Sequence, residues 1–152
     1  MKKLFITLLS IASFSIAENS SYINKLNFGA ELMAGFSEDN IENGIALYGR
    51  FEWPFLLGTH PVLFKNMTSV AITNESLSYT YLSGVGNDKH SVLVGFEQSE
   101  TEYSSHVRAV LGYERNIEEV NGLSIGIRIR DDITPEATTI TFHVKKDFFE
   151  NP

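Results

Sequence analysis

From Gly44 to Phe55 the chain alternates without a break. Ile45, Leu47, Phe51, Trp53 and Phe55 fall on one face with Gly49 among them, and Gly44, Ala46, Tyr48, Arg50, Glu52 and Pro54 fall on the other. Successive side chains of a strand point to opposite sides, so this period of two predicts a β-strand with one apolar face and one face of charges and small residues. At about 3.3 Å per residue the stretch spans about 36 Å, and a tilt near 45° reduces that to about 25 Å, the height of the apolar band of a membrane barrel.

The same unit recurs along the chain. Leu26, Phe28, Ala30, Leu32, Ala34 and Phe36 alternate with Asn27, Gly29, Glu31, Met33 and Gly35, and the acidic segment 37–43 joins them to the opening stretch. After the breakers Gly58 and Pro61, a third strand is expected over 62–73, although its alternation is blurred around Lys65-Asn66-Met67. Leu77, Tyr79, Tyr81, Ser83 and Val85 mark a fourth. Val92, Val94 and Phe96, set against Ser91, Leu93, Gly95 and Glu97, mark a fifth. In the sixth, Val107, Ala109, Leu111 and Tyr113 oppose His106, Arg108, Val110, Gly112 and Glu114. In the seventh, Leu123, Ile125, Ile127 and Ile129 oppose Ser124, Gly126, Arg128 and Arg130. In the eighth, Ile140, Phe142, Val144 and Phe148 alternate with Thr141, His143, Lys145 and Asp147. No stretch beyond the first seventeen residues carries a helical period, and turn residues recur every ten to fifteen positions. The expected class is all-β, an antiparallel up-and-down arrangement of eight strands.

Residues 1–17 read as a signal peptide. Lys2 and Lys3 precede the apolar run Leu4 to Ile16, and Ser15-Ile16-Ala17 has the small-x-small form of a cleavage site. The run is too short to cross a bilayer as a helix, which needs about 20 residues. This leaves 18–152 as a single exported domain. The chain has no cysteine, so neither disulfides, a lipid on cysteine nor a thiolate metal site is available to it. Its formal charge of −7 becomes −9 once Lys2 and Lys3 leave with the leader, which argues against a nucleic-acid partner.

Strands with one apolar face can turn it inward, as in a soluble β-sandwich or lipocalin-like barrel, or outward, as in a transmembrane barrel. The polar faces repeatedly carry Gly29, Gly35, Ala46, Gly84, Gly95, Gly112 and Gly126. Glycine weakens a solvent-facing strand, whereas the narrow interior of an eight-stranded barrel needs small residues beside large ones. Charges on those faces nearly balance. Glu31, Glu52, Glu97 and Glu114 stand against Arg50, Arg108, Arg128, Arg130 and Lys145, and together they form a candidate lumen charge network. The connections 37–43, 74–75, 98–103 and 131–136 hold Glu38, Asp39, Glu42, Glu75, Glu100, Glu102, Asp131, Asp132 and Glu136 but no Lys or Arg, as a solvated outer end would.

In strand architecture over 22–149, a leader, the lack of cysteine and a last strand of alternating apolar residues ending in Phe, the chain resembles the small outer-membrane β-barrels of Gram-negative bacteria, the OmpA-transmembrane, OmpX/Ail and opacity-protein type. Barrels of this type commonly end on the aromatic residue, whereas Glu150-Asn151-Pro152 follow Phe149 here and Lys146 interrupts the last outward row. The resemblance implies a monomeric barrel in the bacterial outer membrane with a structural or surface-interaction role. Its implied partners are outer-membrane lipids, lipopolysaccharide and the barrel-insertion machinery. The alternative is a soluble periplasmic binding module.

No cofactor and no metal are expected, because His60, His90, His106 and His143 lack ligand spacing and Asp131, Asp132 and Glu136 lack the pattern of a calcium loop. Some outer-membrane barrels hydrolyse lipid A acyl chains with Ser, His and a carboxylate. The catalytic candidates for such a reaction are His106, Ser104 and Glu97, with Glu114 as a second carboxylate.

Overall fold

The computed structural model describes residues 25–57, 60–133 and 138–149. The expected leader over 1–17, the polar lead that follows it, Glu136 and the last three residues lie outside these. Eight strands follow one another: β1 (Lys25–Phe36), β2 (Ile41–Leu57), β3 (His60–Thr73), β4 (Leu77–Gly86), β5 (His90–Glu100), β6 (Ser105–Asn116), β7 (Leu123–Asp132) and β8 (Thr138–Phe149). Each pairs antiparallel with the next, and β8 returns to β1 from Phe36↔Ile140 to Phe28↔Phe149, with one register shift between Phe28 and Gly29. The sheet is a closed up-and-down barrel. The sandwich alternative would need two facing sheets, and one continuous hydrogen-bonded circuit replaces them.

Closure turns the alternation into an inside and an outside. Leu32, Leu47 and Ile72 are 60%, 65% and 70% exposed, while Glu31, Ala46 and Ala71, one position away, are 0%, 1% and 2% exposed. The apolar face is therefore the outer one. β3 is a full-length strand, and the blur in its sequence has a simple cause. Asn66 and Thr68 sit in its outward row and Met67 and Ala71 in its inward one. Asn66 is held on the outer wall by the Tyr81 hydroxyl, which donates to its Oδ1 at 3.1 Å.

The start of β1, the end of β8, the facing ends of β2 and β3 and the turns 87–89 and 117–122 share one end of the barrel, called here the terminal end. The connections β1–β2, β3–β4 and β5–β6, the end of β7 and the start of β8 share the distal end. Distal turns are short, closed by bonds such as Ser37 N–H to Asn40 O at 3.0 Å and Thr101 N–H to Ser104 O at 2.8 Å. Two of them are tied together. Asn74 accepts from the Asn43 N–H at 2.8 Å and donates to the Ile41 carbonyl at 3.1 Å, and Asn40 bonds to Glu75. The distal strands run further than the sequence suggests: β2 already includes Glu42 and β7 still includes Asp132, both of which belong to strands and not to acidic loops. Lys146 is exposed on the outer wall, as its place in the last outward row predicts, and donates to the Asn121 carbonyl.

The glycines on the polar faces allow close approach. A Cβ on Gly35 would lie 2.7 Å from Arg130 Nη2, and one on Gly29 would lie 2.5 Å from the Tyr48 hydroxyl. At Gly84 and Gly95 it would strike the backbone carbonyls of Val92 and Tyr81, whereas at Gly112 its nearest neighbour is Arg128 Cγ at 3.5 Å, an ordinary contact. Gly84→Ala and Gly95→Ala are therefore expected to destabilise the barrel by about 1–3 kcal/mol each, the cost of overpacking against atoms that cannot move aside. Gly112→Ala should be neutral or slightly stabilising, since glycine weakens a strand interior. Urea unfolding of the three variants in detergent micelles checks the order, and equal midpoints would contradict it.

Candidate functional site in the barrel lumen

The inward rows bring charges from seven of the eight strands, all but β4, into three clusters stacked along the barrel. In the distal cluster Arg130 Nη2 lies 2.7 Å from Glu42 Oε2 and its Nη1 3.1 Å from Glu97 Oε1. Arg108 Nε pairs with Asp132 Oδ1 at 2.6 Å, and its Nη1 reaches Glu97 at 3.4 Å and Glu42 at 3.5 Å. Thr80 donates to Glu97 Oε2 at 3.2 Å. Two arginines thus hold three carboxylates.

In the middle cluster Arg128 Nη2 pairs with Glu31 Oε2 at 2.7 Å, and Lys145 pairs with Glu114 and, at 3.7 Å, with Glu31. His143 Nε2 stands 3.6 Å from Glu114 Oε1. Lys145 also touches Met67 Sδ at 3.0 Å and lies 5.5 Å from the centre of the Tyr48 ring. Nearer the terminal end, Arg50 pairs with Glu52 at 2.9 Å and with Asp147 at 2.8 Å. Lys65 approaches Glu52 at 3.4 Å, and the Tyr48 hydroxyl donates to Asp147 Oδ1 at 2.5 Å. Opposite the middle cluster the wall is apolar, built by Tyr48, Met67, Leu82, Leu93 and Val110.

Burial makes this pairing necessary. Glu31 and Lys145 are 0% exposed and Arg128 2%, and an ion removed from water without a partner costs several kcal/mol. All nine residues named as a candidate network, Glu31, Arg50, Glu52, Glu97, Arg108, Glu114, Arg128, Arg130 and Lys145, project inward and are ion-paired. Four further partners complete the pairs. Lys65 lay in the blurred third strand, Glu42 and Asp132 at strand ends that read as loop, and Asp147 in the alternation of the eighth strand, which was enough to place it.

Of the catalytic candidates, Ser104 and His106 meet, and neither carboxylate joins them. Ser104 Oγ is 2.7 Å from His106 Nε2 and 2.8 Å from Thr101 Oγ1, at the exposed distal rim. Glu97 is committed to Arg130, Arg108 and Thr80, and Glu114 to Lys145 in the middle of the lumen. Neither carboxylate orients the imidazole, so the grouping of His106, Ser104 and Glu97 is not formed. Among the described residues no three His, Asp or Glu side chains are gathered as a metal site.

A cavity of about 370 Å³ lies at the terminal end, bordered by Asn27, Arg50, Glu52, Ser124 and Asp147 inside and by Glu118 at its rim. Glu118 pairs with Lys89 at 2.7 Å on the surface. Their hydrogen bond and mutual charge hold the carboxyl below, and the amine above, its usual range.

Removing one member of a buried pair should be costly where removing a member of this exposed pair is not. Arg128→Met strips Glu31 of its 2.7 Å partner and is expected to lower stability by about 3–5 kcal/mol, with Glu31→Gln in the same background restoring a large part. Lys89→Gln serves as the reference. A double-mutant cycle by urea unfolding tests this, and an Arg128→Met cost equal to that of Lys89→Gln would mean the network contributes nothing to stability.

No family model and no curated protein matches the chain. Among solved structures it is similar to the KdgM porin, with a TM-score of 0.36 and 7% identity over 80% of this chain and 99% of that one. It is also similar to Ail, the attachment invasion locus protein of Yersinia pestis, crystallised with the heparin analogue sucrose octasulfate, with a TM-score of 0.34 and 11% identity over 81% of this chain and 95% of that one. The barrel architecture stands on this chain's own closed sheet.

Proposed function

We propose that the chain is a small integral barrel of the bacterial outer membrane, with a lumen filled by its own side chains and a structural or surface-interaction role. The observation that supports this reading is the inverted partition of the strands. Large aliphatic and aromatic side chains stand exposed around the outer wall, among them Leu47 at 65% and Phe142 at 54%, while arginines, lysines and glutamates are buried within. Water on the outside would leave that wall unsatisfied, whereas lipid matches it. A closed sheet also leaves no unpaired backbone group facing hydrocarbon. A soluble periplasmic module of lipocalin type would need the opposite orientation, with an apolar interior.

The three charge clusters support a lumen that does not conduct. Charged side chains bonded across the barrel occupy the space a solute would need, and the remaining wall is filled by Met67, Leu82 and Leu93, each at or below 1% exposure. The short distal turns support contact through the barrel rim, because among the described residues no long loop extends from it.

The mature chain, refolded in detergent, is expected to show a β-type circular dichroism spectrum and to migrate differently before and after boiling in SDS. Folding in plain buffer without such a shift would refute the membrane reading. Leu47→Arg, a charge at the middle of the outer wall, should cost about 2–4 kcal/mol of folding stability in bilayers. In planar bilayers the folded chain should add no steady solute-sized conductance, and an ohmic pore would refute the filled lumen while leaving the membrane reading intact.

A further inference from the structure

The two ends of the outer wall differ in charge. Toward the distal end the exposed charged residues include Glu38, Asp39, Glu75, Glu102 and Asp131, with no Lys or Arg among the described residues of those turns. Toward the terminal end the wall itself carries cations: Arg115 on β6 and Lys146 on β8 are exposed in outward rows, and His90 on β5 is the register partner of Arg115. His90 Nδ1 lies 2.6 Å from the Tyr113 hydroxyl and the two rings stack at 6.0 Å, which fixes the imidazole beside the guanidinium. The acids Asp88 and Glu119 occupy the turns beyond the strands, and Glu118 is taken by Lys89.

A groove of about 700 Å³ crosses the outer wall over β6, β7, β8 and β1, and it leads to Arg115. Its walls are Leu32, Ile125, Ile127, Phe142 and Val144, all from outward rows. Apolar walls ending on a guanidinium flanked by an anchored imidazole have the shape and charge of one acyl chain with a phosphate at its head. Arginine suits that phosphate because its planar fork can bond two oxygens at once.

We propose that this groove is a binding site for an anionic glycerophospholipid, its acyl chain along Ile125 and Ile127 and its phosphate on Arg115. The inference rests on the membrane reading above and adds to it a lipid class and a residue. The site lies at the terminal end, so it draws its ligand from the leaflet at that end. A phosphorylated glycolipid of the opposite leaflet would meet the acidic distal rim instead.

The test uses the refolded chain in phosphatidylcholine nanodiscs containing a minor fraction of phosphatidylglycerol, extracted gently and weighed with its bound lipid by native mass spectrometry. Wild type should retain phosphatidylglycerol over phosphatidylcholine by about fivefold relative to their supply, the effect of one cation near a charged headgroup. R115Q should bring the ratio close to one, and K89Q, outside the groove, should leave it unchanged. I127W, which fills the groove, should lower retention of both lipids. Equal retention in wild type, or a preference that survives R115Q, overturns the site. A boiling-shift gel on every sample separates this from failure of the membrane reading, since a chain that shows no shift and enters no nanodisc overturns both.

Discussion

The pairing of β8 with β1 is the contact on which everything else depends. Without it the sheet would have two edges, each a row of backbone donors and acceptors open to other chains. With it, every strand has two neighbours, and the alternation of each strand becomes a division between a narrow interior and an outer wall. The register shift between Phe28 and Gly29 lies within this seam, and such an irregularity adjusts strand direction where the sheet must meet itself.

Closure of eight strands leaves little room inside, and two kinds of inward residue share it. Long charged side chains reach across the lumen to partners on distant strands, as Arg130 does to Glu42 and Glu97. Glycines lie where those side chains or a neighbouring backbone come close, as Gly35 does beneath Arg130. Each requires the other. A bulkier residue at Gly35 would displace the guanidinium, and a displaced guanidinium would leave Glu42 and Glu97 only their longer contacts to Arg108. The distal cluster holds one carboxylate more than it holds arginines, whereas Arg128 and Lys145 match the two carboxylates of the middle cluster.

The outer wall shows a division of its own. Its middle is largely apolar, Asn66 and Thr68 of β3 apart, but its ends differ, with acids around the short distal turns and Arg115, Lys146 and His90 on the wall at the terminal end. The aromatic contacts Trp53–Phe64 and His90–Tyr113 lie toward the terminal end, where the rings can meet both an apolar wall and a polar boundary. In a bilayer this asymmetry gives the barrel a direction, which the sheet alone, running up and down, does not have.

By itself the sequence determined the strand class, the number of strands and the two faces of nearly all of them, because a period of two is a local property that any run such as Ile125 to Arg130 displays on its own. It also determined which charges share a face, since parity along each strand is enough. The tertiary structure decided which charges meet: Arg128 and Glu31 are 97 residues apart in the chain and 2.7 Å apart in the barrel. Only closure of the sheet and the registers of the intervening strands bring them together. The same registers placed Lys65 inside a strand whose pattern was blurred by Asn66 and Thr68. They carried Glu42 and Asp132 from apparent loops into the distal cluster, because composition marks a turn while pairing with the neighbouring strand sets where it begins. They also commit Glu97 to Arg130 and Arg108, which no spacing along the chain could have revealed.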